Sequence, residues 1–151
     1  MAAIALMRMH HYTGEASYRD KAEQTLETFA GVAEQFGIFG GSYGIAVVHL
    51  LESPVQVVVI GENGQDRNAA GLYHAALSRF AFPKTVLRFS ADHVVAENLP
   101  PVLAQTLPHL PQLRSEKSFA VICSGASCQP PVSEVAELER AVDAALAVGA
   151  T

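Results

Sequence analysis

Residues 55–61 read Val-Gln-Val-Val-Val-Ile-Gly. An amphipathic helix would space its apolar residues three and four apart. A half-exposed strand would alternate them with polar ones. A nearly unbroken β-branched run closed by glycine is instead the pattern of a strand covered on both faces. Such a strand needs a layer on each side, and the flanking segments must supply it. Downstream, Gly61-Glu62-Asn63-Gly64-Gln65-Asp66 is a turn cluster. Asp66 can cap a helix over about Arg67–Phe80, with Ala69, Leu72, Tyr73, Ala76 and Phe80 inward. Phe82-Pro83-Lys84 ends that helix, and Thr85–Ser90 reads as a second strand. A proline-punctuated section follows, with one short helix over Pro101–Leu107. Phe119–Cys123 is a third strand, and Ser133 can cap a last helix running to about Leu146. Strands alternating with helices imply βαβ crossovers. The expectation for residues 54–151 is a small α/β domain with a three-stranded parallel sheet.

Upstream, residues 1–53 read as helices. Ala2–His11 is rich in Ala, Leu and Met, with apolar residues on every side and no N-capping residue before it. A helix apolar all round belongs inside something larger or against another copy. Thr13-Gly14-Glu15 looks like a short connection between antiparallel helices. Ser17 can cap a second helix from Tyr18 to about Phe36, with Ala22, Leu26, Phe29, Ala33 and Phe36 on one face and Gly37 as its stop. A third helix fits Ser42–Leu51, ended by Ser53-Pro54.

The composition narrows the function. The 151 residues carry 10 Lys+Arg against 15 Asp+Glu, a net charge of -5 with His neutral. A weakly acidic chain without a basic cluster argues against nucleic-acid binding through phosphate contacts. Hydrophobic residues make up 50% and charged residues 17%, which supplies a core and excludes disorder. The least charged stretch, Gln35–Leu51, is broken by glycines and shorter than the roughly 20 residues of a bilayer span. No signal-peptide layout is visible at the N-terminus, so no membrane partner and a cytoplasmic location are expected.

Two places could carry chemistry. Gly61, Gly64 and Asp66 lie between a strand and a helix, where α/β folds often bind phosphate. The third glycine of a dinucleotide fingerprint and the Lys-Ser/Thr of a P-loop are both missing, and Glu62 and Asp66 bring negative charge. The expectation is a tight βα turn with a capping Asp66, with phosphate or small-ligand binding as the alternative. Cys123 and Cys128 flank Ser-Gly-Ala-Ser and precede Gln129-Pro130-Pro131. The spacing admits a reversible disulfide or half of a soft-metal site. For a cytoplasmic protein, two partly buried free thiols are the expectation. The six histidines show no metal-ligand spacing. His10-His11 fits a helix C-terminus, and His49 fits a satisfied core or interface group. No Gly-x-Ser-x-Gly elbow is present, so a serine hydrolase is unsupported. No catalytic residue, metal or cofactor is assigned.

The order of segments resembles a known family. Tyr18, Arg19, Ala22 and Glu23 lead into paired helices, then come VQVVVIG and a strand ending in Cys-x4-Cys-Gln-Pro-Pro-Val at Cys123 and Cys128–Val132. This is similar to the C-terminal end of the thioredoxin-domain-containing proteins of the spermatogenesis-associated type. The resemblance spans about Ala2–Ala145, and the Cys-x4-Cys-Gln-Pro-Pro element is its most specific part. It implies a larger protein with a thioredoxin-like domain, an (α/α)6 barrel of the six-hairpin glycosidase type and an α/β tail. Residues 1–53 would be the last barrel helices and residues 54–151 the tail. The expected function is non-catalytic: barrel closure and an interaction surface, with the remainder of the full-length protein or a second copy as partner. Self-association would run through Ala2–Tyr12, Leu26–Phe36 and Ile45–Leu51. The alternatives are thiol–disulfide exchange through Cys123 and Cys128, and ligand binding at Gly61–Asp66.

Overall fold

The computed structural model describes residues 2–62, 66–115, 117–125 and 127–148. The chain divides into two compact units, Met1–Glu52 and Ser53–Thr151.

The first unit holds helices α1 (Ala2–Thr13), α2 (Ala16–Ala30) and α3 (Gly41–Leu51). Its core is small: Ala3, Met7, Ala22, Leu26 and Ala46. Helix α2 stops short of the expected Phe36. Gly31 stands at its C-cap, and the chain continues as a 3-10 segment over Ala33–Gly40 that bends where Gly37 has φ +50°. Glycine reaches that left-handed conformation without the Cβ clash other residues meet. Phe29, inside α2, and Phe36, in the 3-10 segment, are each about half exposed, at 49% and 50%. The N-cap of α2 is Glu15 rather than Ser17, whose hydroxyl donates to the Glu15 carboxylate at 2.6 Å.

The second unit is a mixed α/β fold around a four-stranded sheet of order β2-β1-β3-β4. Strand β1 (Val55–Gly61) is buried along its whole length. Helix α4 (Arg67–Ser78) carries the chain to β2 (Lys84–Ser90), which pairs parallel with β1 from Val55↔Lys84 to Gly61↔Ser90. So far the expectation of a parallel crossover holds.

The third strand departs from it. Strand β3 (Phe119–Ser124) lies antiparallel to β1, from Ile60↔Phe119 to Val55↔Ser124. A parallel β3 would require the 91–118 link to run back along the sheet. Among its described residues that link holds 3-10 turns and the four-residue α5 (Pro101–Ala104), its apolar side chains pack on one face of the sheet, and it re-enters at the end where β1 and β2 finish. A fourth strand, β4 (Ser127–Cys128), folds back on β3 through a two-residue hairpin, with Cys123 opposite Cys128 and Ser124 opposite Ser127. Gly125 opens that turn at φ +57°, where hairpin turns favour glycine.

The period of two in β1 and β3 sorts side chains between two apolar layers. Val55, Val57, Val59, Ala120 and Ile122 pack with Leu72 and Ala76 of α4 and with Leu138 and Val142 of α6 (Val135–Val148). Val58, Ile60, Phe119, Val121 and Cys123 pack against Val94, Leu99, Leu103 and Leu107 of the link. Burying each such side chain contributes about 1.5–3 kcal/mol, which is why β1 carries no exposed face.

Candidate functional site

The βα turn after β1 is built around Asp66. Its carboxylate accepts from the Ala69 N–H at 2.9 Å, the Glu62 N–H at 3.3 Å and the Ser118 hydroxyl at 3.3 Å. Asn68 ties the same corner together by donating to Ser118 Oγ at 3.1 Å and to the Ser133 carbonyl at 3.4 Å. Burial pushes the Asp66 carboxyl up, but these donors outweigh it and hold the group below its ordinary value. The anion at the first turn of α4 is thus the chain's own side chain. Gly61 is explained by packing. A Cβ there would meet Ala69 Cβ at 2.6 Å and Asp66 Oδ2 at 2.8 Å. Gly64, the third position expected in a ligand site, lies outside the described residues. Sequence reading missed Ser118, which is buried and 52 positions from Asp66. Nothing local marks it.

The cysteines are brought together by the β3–β4 hairpin. Their Cα atoms face each other at 4.0 Å, and the sulfurs are bonded at 2.04 Å. The structure therefore differs from the expected pair of free thiols. The physical reason is the two-residue turn, which places Cys123 and Cys128 directly across the ladder. Cys123 is buried among the link residues, whereas Cys128 is partly exposed. Below the bond, Gln129 N–H donates to the Ile122 carbonyl at 2.8 Å, and Ala120 and Val132 exchange bonds at 2.7 and 2.9 Å. The hairpin is thus held by backbone pairing on both sides of Pro130-Pro131.

In the helical unit, His49 is buried, and its Nδ1 has no hydrogen-bond partner among the described residues. Its ring lies 6.4 Å from that of His11. Burial, then the nearby charges of His10, His49 and Arg19, push His11 down to about 4. Burial, followed by Arg8, also lowers His49, with Glu52 acting in the opposite direction. Both imidazoles are neutral at pH 7. An apolar cavity of about 360 Å³ opens between Leu26, Phe29, Phe36, Phe39 and Tyr43 of the same unit.

Among the described residues, no group of three His, Cys, Asp or Glu side chains could hold a metal ion. No helix among them is long and apolar enough to cross a membrane. No family model, curated protein or solved structure matches the chain.

Proposed function

We propose that this chain is the non-catalytic C-terminal region of a larger cytoplasmic protein of the thioredoxin-domain type, and that its helical unit is an interaction surface. The carrying observation is the exposure of large apolar side chains in residues 1–52. Ile38 is 90% exposed, Phe39 87% and Leu51 76%. Phe29 and Phe36 stand half exposed at the mouth of an apolar cavity. Phe29, Phe36 and Phe39 line that one cavity, and contiguous apolar surface of this kind marks an interaction site. Barrel helices separated from their neighbours would present such a face, and the segment order and the Cys-x4-Cys-Gln-Pro-Pro element support the same reading. In the isolated chain, a second copy covers that face. Its association state across a dilution series is the test, and an unchanging monomer would count against the reading.

The bonded cysteines favour a second reading, two-electron exchange with a dithiol partner. A partner thiolate attacks the sulfur of Cys128, the partly exposed residue of the pair, and Cys123 leaves. The partner's second thiol then resolves the mixed disulfide. The partner ends as a disulfide, and Cys123 and Cys128 end as thiols carrying the two protons it gave up. Alkylation and intact mass under a graded glutathione poise test this reading. Joint conversion within roughly -220 to -320 mV, the cytosolic range, supports exchange. A bond that survives the whole range makes the pair a structural staple.

A further inference from the structure

Among the described residues, the sheet of the second unit has one covered edge and one bare edge. On one side, β4 and the Ala120–Val132 bridge pair with β3. On the other side β2 is the last strand and pairs with β1 alone. The phase of the ladder tells which backbone groups are left over. Val55 N–H donates to the Pro83 carbonyl at 3.1 Å, and Val55 stands opposite Lys84. In a parallel ladder, alternate residues of a strand turn both backbone groups to the same neighbour. Thr85, Leu87 and Phe89 therefore face β1, and the N–H and C=O groups of Val86 and Arg88 point outward. No described residue bonds to those outward groups.

Folded proteins ordinarily blunt such an edge with lysine, proline or a bulge. The seven pairs of β2 run without a bulge, residues 84–90 contain no proline, and the Lys84 ammonium is turned back onto the Ala76 carbonyl of α4. Both apolar layers run out to this edge. Val86 borders the layer of α4 and α6, and Leu87 and Phe89 border the layer of the link. All three are only partly buried, whereas every residue of β1 is buried. Arg88 is the one exposed residue of the strand.

Unpaired N–H and C=O groups at strand spacing are satisfied by another extended backbone, as in strand addition. The charge of Arg88 decides whose. A second copy of β2 laid antiparallel would bring Arg88 against the copy's own Arg88 or Lys84, directly across or on the diagonal. Like charges so placed are destabilising. A strand with an acidic residue opposite Arg88, and apolar residues beside Leu87 and Phe89, has the complementary pattern. We propose that the β2 edge binds an extended peptide by strand addition, antiparallel to β2, with an acidic side chain opposite Arg88 flanked by apolar ones. The site lies in the second unit and does not depend on the interaction surface of the helical unit.

The test is an amide-resolved NMR titration of the full chain with acetyl-Thr-Ile-Glu-Ile-Thr-amide, whose Glu is to stand opposite Arg88. Saturable shifts are expected at residues 84–90. Methylating the backbone nitrogens of Glu and the second Thr, which are to bond to β2, should weaken binding at least tenfold. Methylating those of the two Ile, which are to point away, should change it less than threefold. Lys in place of the Glu of the probe should weaken binding at least threefold, and Arg88→Glu should reverse that order. Arg88→Pro removes one outward N–H and no ladder bond, so the amide shifts of β1 should persist while binding is lost. Shifts centred on the helical unit, equal losses from the two methylated probes, or no saturable shift at millimolar peptide would overturn the proposal. Broadening at 84–90 that grows with protein concentration in the absence of peptide would overturn it too, by making a second copy the occupant.

Discussion

At Gly61 a single hydrogen atom separates the βα turn from a clash. The nearest neighbours of an added Cβ are the Ala69 side chain and an Asp66 oxygen, both under 3.0 Å away. Neither is the far end of a flexible chain, because Ala69 is fixed in α4 and Asp66 caps it. Gly61→Ala should therefore cost about 1–3 kcal/mol, as overpacking in a filled site does, measured by urea unfolding. A variant as stable as the parent would show that the turn can relax. The sequence made Asp66 legible as a cap, because a carboxylate one position before an apolar-periodic helix has few other uses. The packing role of Gly61 was not legible, since glycine in a βα turn reads equally as a phosphate loop. Ser118 was hidden for a different reason. It meets Asp66 only after β3 has paired with β1, and no local pattern encodes that pairing.

Among the elements, the strands and the helices differ in how far they could be read. The apolar runs at 55–60 and 119–123 read as buried strands, and their bounds lie within a residue of those expected. Their relative direction depends on the link between them, and a chain of 3-10 turns carries no periodic signal. Strand β4 is two residues long, below what alternation can show. In the helical unit, apolar spacing alone suggests one helix through Phe36, and the break at Gly31 and Gly37 overrides it. The histidines there make the unit pH-sensitive. His11 is held at about 4, below its ordinary 6.5, and His49 is lowered too. Between those values the unfolded helices bind a proton that the folded ones refuse. Their stability is thus complete above about pH 6.5, falls as the pH drops, and levels off below about 4. Solvent screening at these partly exposed rings trims the expected loss to about 1–3 kcal/mol, read as a falling melting temperature of the helical signal. His11→Phe should flatten most of that slope, and an equally steep slope in the variant would assign it elsewhere.

For the whole molecule, the contrast lies between the two units. Residues 53–151 bury an unbroken central strand between two apolar layers. Residues 1–52 bury few large side chains and expose Ile38, Phe39 and Leu51. Three helices with so small a core gain little from burial, and covering the exposed face would supply what the unit lacks. Sedimentation velocity across a hundredfold dilution tests this most directly, run on the chain and on Ile38→Asp with Phe39→Asp. Both side chains are almost fully exposed, so the changes disturb no core. The parent chain is expected to sediment as a dimer or larger species that dissociates on dilution, and the double variant to be monomeric throughout. A parent chain that is monomeric at every concentration, or a variant that associates as strongly as the parent, would rule out the helical unit as an interaction surface.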